Sequence, residues 1–248
     1  KKLKEIGSNF ELIKSNFAYI KEELNKRNVT EVDGIVFDLG VSSPQLDIAD
    51  RGFSFHKDAK LDMRMDTTKE LSAYNVVNEY SYEELVRLIR DYGEEKYATS
   101  IAKNIVKDRE SKPIETTFEL VDIIKKSMPY KAMKDSHPAR RTFQAIRIEV
   151  NNEIKPLYNT VKDCIDCLKE QGRLCIITFH SLEDRAVKNA MLEAKGRCTC
   201  PPDLPYCVCG AKSLGKIITR KPIVATKLEQ EENSRSKSAK LRIFERSE

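Results

Sequence analysis

The chain has 248 residues, of which 40% are hydrophobic, and a formal net charge of +5. That is apolar material for one large domain or two small ones, and no run approaches the roughly 18 apolar residues of a membrane-spanning helix. No signal peptide is visible, though a trimmed front end would hide one, and the excess of Lys and Arg between Lys212 and Arg246 suits a polyanionic partner such as RNA, or else a solvated basic tail.

Residues 10–16 alternate as a strand does, and 18–27 have helical texture. Gly34-Ile35-Val36-Phe37 then reads as a buried strand that ends in DLGVSSPQLD, Asp38 to Asp47. Ligands of open α/β sheets sit outside the carboxyl ends of strands, so this turn is a candidate active site. The same residue types also make an ordinary strand exit. A loop rich in Gly, Ser, Pro and Asp continues to Asp66, and the texture changes near Thr67. Ser81-x-x-Glu84 is a capping box; Leu85, Leu88 and Ile89 share one face of the helix it opens, and Gly93 can end it. Tyr97, Ile101 and Ile105 repeat at helical spacing. Thr117 can cap a third helix that stops at Met128-Pro129. The stretch 68–136 is therefore expected to be an all-helical insertion, with the α/β domain built from 1–67 and 137–248. After His137-Pro138 a long helical stretch, broken at Pro156, runs to Gly172. Leu174 to Phe179 is a second buried strand, and Ser181-x-x-Asp184 opens another helix. Residues 217–219 and 241–244 read as two further strands, and 229–239 is polar enough to be mobile.

DLGVSSPQLD is followed by RGFSF (Arg51 to Phe55), LDMRMD (Leu61 to Asp66), HPARRTFQA (His137 to Ala145), FHSLEDR (Phe179 to Arg185), ITRKPI (Ile218 to Ile223) and SRSKSAKLR (Ser234 to Arg242). Taken together and in this order, these blocks resemble the MraW family, S-adenosylmethionine-dependent methyltransferases that modify N4 of a cytidine in small-subunit ribosomal RNA. Arg140 stands where the family usually has Thr, and Ser234 where it has Pro. The family's opening strand with its glycine-rich cofactor loop, and the acid-ending strand after it, have no counterpart here. Residues 10–17 resemble the family's third strand. The resemblance thus implies a class I, Rossmann-like methyltransferase sheet, N-terminally incomplete, closed by an antiparallel pair and carrying an inserted helical domain for substrate recognition.

By the same resemblance Phe17 packs on the adenine of S-adenosylmethionine, while Asp38 and Gln45 hydrogen-bond the bound nucleoside. Methyl transfer needs the cytosine amine held in line with the methyl–sulfur bond, acceptors for its protons and a route for the departing proton. Asp38, Ser42, Ser43 and His180 are the catalytic candidates. Ser42-Ser43-Pro44 loosely matches the acid-Pro-Pro-aromatic loop of amino-methyltransferases. His180 ends a strand, and His137 precedes a helix; each is a proton relay or a structural cap. Arg51, Arg64, Arg140, Arg141, Arg185, Arg220, Lys221, Arg235 and Lys237 are candidate RNA contacts, because guanidinium donors fork onto phosphate oxygens; Lys240 and Arg242 extend a basic C-terminal stripe. The implied partner is 16S rRNA within the small ribosomal subunit, in the cytoplasm, with monomer and homodimer both open.

Seven cysteines in a chain of this kind argue for thiols or metal rather than disulfides. Cys164, Cys167 and Cys175 read as core or surface thiols. Cys198, Cys200, Cys207 and Cys209, in CTCPPDLPYCVCG, are either clustered thiols or a structural zinc site. The rival to an active enzyme is a catalytically incomplete fragment that acts only as an RNA- or ribosome-binding module.

Overall fold

A computed structural model describes residues 5, 7–134, 136–198, 200–201, 204–206 and 208–247. The chain forms two compact units, one of residues 1–39 and 156–248 and the other of 40–155. In chain order, a 3-10 turn (Phe17–Tyr19) leads into helix α1 (Ile20–Asn25) and strand β1 (Val32–Asp38). The helical unit holds α2 (Ser43–Asp47), α3 (Ala73–Glu79), α4 (Tyr82–Asp91), α5 (Ala98–Arg109), α6 (Thr117–Lys126) and α7 (Arg140–Asn151). The first unit resumes with α8 (Leu157–Asp166), β2 (Leu168–Thr178), α9 (Ser181–Ala194), β3 (Gly215–Ile217), β4 (Ile223–Val224), α10 (Lys227–Glu232) and β5 (Lys240–Arg246).

The sheet runs β1-β2-β5-β3, with β4 also on β5. β1 and β2 are parallel, while β5 is antiparallel to β2, β3 and β4. Ile35, Leu174, Ile176 and Phe244 bury their side chains with Leu157, Val161 and Ile165 of α8 and Val187, Ala190 and Met191 of α9. Each of these side chains larger than alanine contributes about 1.5–3 kcal/mol by leaving water. Cys164 and Cys167 lie in or against this core; burial pushes the Cys164 thiol up, so it stays a neutral, inert filler.

Several sequence expectations are corrected here. Residues 10–16 form no strand. Alternation alone does not make one, because a strand exists through ladder hydrogen bonds to a neighbour. Among the described residues β1 pairs only with β2, so Ile35 is buried but Val36 is 72% exposed, and the 34–37 run is not buried throughout. β2 begins at Leu168, not Leu174: Val32 pairs with Leu168 and Gly34 with Arg173, so the polar stretch between bulges out, with Gln171 at φ 63°. The preceding helical stretch is two helices. Asn152, in the left-handed region, ends α7 before Pro156 is reached. The third helix of the insertion is capped by Thr116, one residue earlier than expected. Residues 229–239 carry the end of α10, capped by Thr226, and a 3-10 turn.

The compact helical unit is wider than 68–136. Phe53, Leu61 and Met63 on one side, and Phe143, Ile146 and Val150 on the other, belong to its core. Asn151 ties the two flanks: its Nδ2 donates to Met63 O at 2.8 Å, and its Oδ1 accepts from Met65 N at 2.7 Å. The helical face of Leu85, Leu88 and Ile89 is buried as expected, and Ser81 and Glu84 cap each other.

Gly52 shows how closely the RGFSF loop is packed. It sits at φ +69°, and a Cβ there would lie 2.4 Å from Lys60 O and 2.9 Å from Asp62 N. Both the backbone conformation and the space require glycine. Gly52→Ala is expected to cost about 2 kcal/mol or more, read as a lower denaturant midpoint at unchanged slope.

Candidate functional site

The parallel register brings two of the sequence blocks to the same end of the sheet. Asp38, the last residue of β1, pairs with Ile177 of β2, and Leu39 N donates to Ile177 O at 3.1 Å. β2 ends one residue later, and Phe179 and His180 follow it. DLG and FHSLEDR therefore leave neighbouring parallel strands side by side, the position in which α/β sheets bind ligands. Asp38 is exposed there. Phe17 packs on Phe37 with ring centroids 5.9 Å apart, and its ring stays half-buried. Asn16 fixes this approach by accepting from Ala18 N at 2.9 Å.

His180 is the N-cap of α9, so the capping pair is His180 with Glu183 rather than Ser181 with Asp184. Glu183 Oε2 accepts from Phe179 N at 2.8 Å and from His180 N at 3.3 Å. Its other oxygen lies 3.1 Å from His180 Nε2, within ion-pair distance but not aligned for a hydrogen bond. The imidazole is nearly buried, and neither ring nitrogen makes a hydrogen bond among the described residues. The Ser181-x-x-Asp184 frame is one residue late and passes over Glu183; the acid three residues after a strand-end His is the sequence signal for it. Asp184, freed from that role, pairs instead with Arg242.

Ser42, Ser43 and Gln45 belong to the helical unit. Ser42 N and Oγ both donate to Gln45 Oε1, at 2.8 and 3.0 Å, which opens the short helix α2. Gly40 makes the preceding turn at φ 86°. The Gln45 carbonyl is thus spent on the turn, and Ser43 is exposed. His137 stacks on Phe55 at 4.4 Å, and its Nδ1 accepts from Ala139 N at 3.3 Å. Burial, with His56 and Lys125 nearby, pulls its pKa below the usual range. It is held by stacking and by one backbone N–H just ahead of α7.

The candidate RNA contacts divide. Arg51 Nη2 donates to Arg64 O and Met65 O, at 2.7 and 3.2 Å. Arg64 forks onto Asp62 at 3.0 and 2.7 Å and also donates to Thr67 O and Lys69 O. Burial raises the Asp62 carboxyl, but Arg64 outweighs it and holds that group below the ordinary carboxylate range. Both guanidiniums thus hold the LDMRMD loop together. Arg140 and Arg141 are exposed on the first turn of α7, with Arg141 donating to Glu94 O at 2.8 Å. Arg185, Arg220, Lys221, Arg235 and Lys237 are exposed in the α/β unit. Arg242 is not part of an exposed stripe. It is buried and forks onto Asp184 at 2.6 and 3.1 Å.

Cys198, Cys200 and Cys209 come together, their three sulfurs all within 4.8 Å of one another. Cys207 lies outside the described residues. No helix among the described residues is long and apolar enough to cross a membrane.

A family model described as the MraW methylase family matches residues 1–247. The chain is 55% identical, over 99% of its length and 80% of the relative's, to a Ruminiclostridium cellulolyticum protein named ribosomal RNA small subunit methyltransferase H. A Clostridioides difficile protein of the same name is 56% identical over 99% of this chain and 79% of its own, and one from Exiguobacterium sibiricum 56% identical over 96% and 76%. A mixed α/β sheet with a helical insertion, two motif blocks meeting at one end of it and a match over nearly the whole length make one assignment: the chain belongs to the MraW methylase family, with the class I methyltransferase fold.

Proposed function

We propose that the chain methylates N4 of a cytidine in 16S rRNA, in the decoding region of the small ribosomal subunit, using S-adenosylmethionine, in the cytoplasm. The support for ribosomal RNA as substrate is the name that the relatives carry; the support for the site is the meeting of DLG and FHSLEDR at adjacent strand ends. That meeting is the observation that carries the reading.

The residues present suit the cofactor. A half-buried aromatic ring beside a strand end offers a stacking face for adenine, and an exposed carboxylate at that end accepts from hydroxyls or balances a cation. When bound, S-adenosylmethionine supplies an electrophilic methyl group on a sulfonium centre. Phe17 would hold the adenine, and Asp38 would orient the nucleoside. The cytosine amine is a weak nucleophile because its lone pair is conjugated with the ring. Acceptors on the amine localise that lone pair, and Asp38 would serve. His180 takes up the departing proton, with the buried Glu183 carboxylate beside it to balance the charge. The cytidine must be unstacked to reach such a site. The exposed bases Arg140, Arg141, Arg185, Arg220, Lys221, Arg235 and Lys237 would bind rRNA phosphates, so binding should weaken steeply with salt. The helical unit is the proposed substrate-recognition element.

Small subunits lacking the modification, incubated with the chain and labelled cofactor, should yield labelled N4-methylcytidine on nucleoside digestion. Label in another nucleoside would overturn the assignment to N4; no label from a chain that binds both cofactor and subunit would favour the binding-module alternative.

A further inference from the structure

We propose that Cys198, Cys200 and Cys209 hold a zinc ion that staples the α9–β3 loop. Cys198 Sγ and Cys209 Sγ are 3.7 Å apart. A tetrahedral zinc with Zn–S bonds of about 2.3 Å places its sulfurs about 3.8 Å apart. A disulfide needs about 2.05 Å, so the two thiols are not bonded to each other, and their spacing matches that of two ligands on one ion. Val208 N points at Cys200 Sγ at 3.3 Å, a backbone donor of the kind that supports a metal-bound thiolate.

The loop itself explains why an ion is wanted. Its two stems meet at the base: Leu214 N donates to Ala194 O at 2.8 Å, and Gly196, at φ +86°, lies against Ser213 closely enough that a Cβ would be 3.0 Å from Ser213 N. Beyond that base the described apolar residues of the loop are exposed. Leu204, Tyr206 and Val208 are 42%, 75% and 67% exposed. A segment that buries so little cannot offset the entropy of ordering its chain, and a metal is the usual substitute for a core in such small elements. Pro201 and Pro205 restrict the backbone between the thiols, and Gly210, at φ +61°, turns it back towards β3. Cys209 also lines a cavity of about 460 Å³ with Lys162, Glu193, Arg197 and Lys212, so the ion fixes one wall of it. Loading requires the thiols to give up their protons, which makes affinity fall at low pH.

The test is metal analysis of the full chain, purified under reducing conditions, exposed to zinc and dialysed. About one zinc per chain is expected, with the metal lost from Cys198→Ser and Cys209→Ser and retained by Cys164→Ser. Substitution by cobalt should give the intense thiolate charge-transfer and tetrahedral ligand-field bands. Chelation should speed tryptic cleavage after Arg197 and Lys212 at least tenfold without unfolding the rest. No stoichiometric metal in the folded, reduced chain, or metal unchanged in both serine variants, would overturn the proposal, as would cobalt spectra without thiolate bands.

Discussion

Replacing Arg242 by Ala is expected to destabilise the α/β unit by about 3–5 kcal/mol, because it strands a largely buried carboxylate. Arg242 forks onto Asp184 with side chains only 8% and 15% exposed, and Lys240 adds a weaker contact at 3.7 Å. The pair joins the first turn of α9 to β5 and so fixes the helix whose N-terminus carries His180. Burial raises the Asp184 carboxyl, yet the hydrogen bonds and charge of Arg242, with Lys240 and Lys188, outweigh it and depress the pKa. The sign for stability follows. A depressed folded pKa contributes stability that is complete above the unfolded value of about 3.9 and is lost as pH falls through the lower folded value. Equilibrium unfolding at pH 7 and near pH 3 should show a large gap between wild type and Asp184→Asn at pH 7 that narrows in acid. A gap of the same size at both pH values would mean the pair is not what the acid titrates.

His180→Ala is expected to lower kcat by about 10²–10⁴-fold, the usual worth of a positioned proton acceptor, while leaving affinity for S-adenosylmethionine nearly unchanged. The ring lies at the N-terminus of α9, with Nε2 3.1 Å from Glu183 and no hydrogen bond of its own among the described residues. Glu183→Gln should lose less in kcat than His180→Ala and should shift the pH–rate profile, since the amide can still accept from Phe179 N but carries no charge. Glu183→Ala should in addition cost about 1–3 kcal/mol, because buried amide donors lose their acceptor. Equal loss of turnover and cofactor binding in His180→Ala would assign the residue to the architecture of the cleft instead.

What was legible in the sequence follows the range of the forces involved. Capping boxes and helical faces are local, so Ser81–Glu84 and the Leu85–Leu88–Ile89 face stand where the sequence put them. The strand ends at Asp38 and near Phe179 were marked by apolar runs that stop at polar turns. Less legible were features decided by partners distant in sequence. Phe10 to Asn16 alternates but has no ladder neighbour. Lys169 to Gly172 is polar yet lies within β2, because Val32 and Leu168 pair beyond the bulge. The flanks of the helical unit depend on Asn151, which spans 88 positions to reach Met63. Arg51, Arg64 and Arg242 show the same limit at the site: a basic residue in a motif looks like a phosphate ligand until the carbonyls and carboxylates that occupy it are seen. The register of β1 on β2, which sets Asp38 beside the His180 strand end, is likewise a property of the folded sheet.

The central claim is that the β1–β2 end is the cofactor site, and calorimetric titration with S-adenosylmethionine tests it most directly. Wild type and His180→Ala should bind one equivalent with similar affinity, and Asp38→Ala should bind at least tenfold more weakly. A folded Asp38→Ala variant that binds as tightly as wild type, or a folded wild-type chain that shows no saturable binding, would contradict the account.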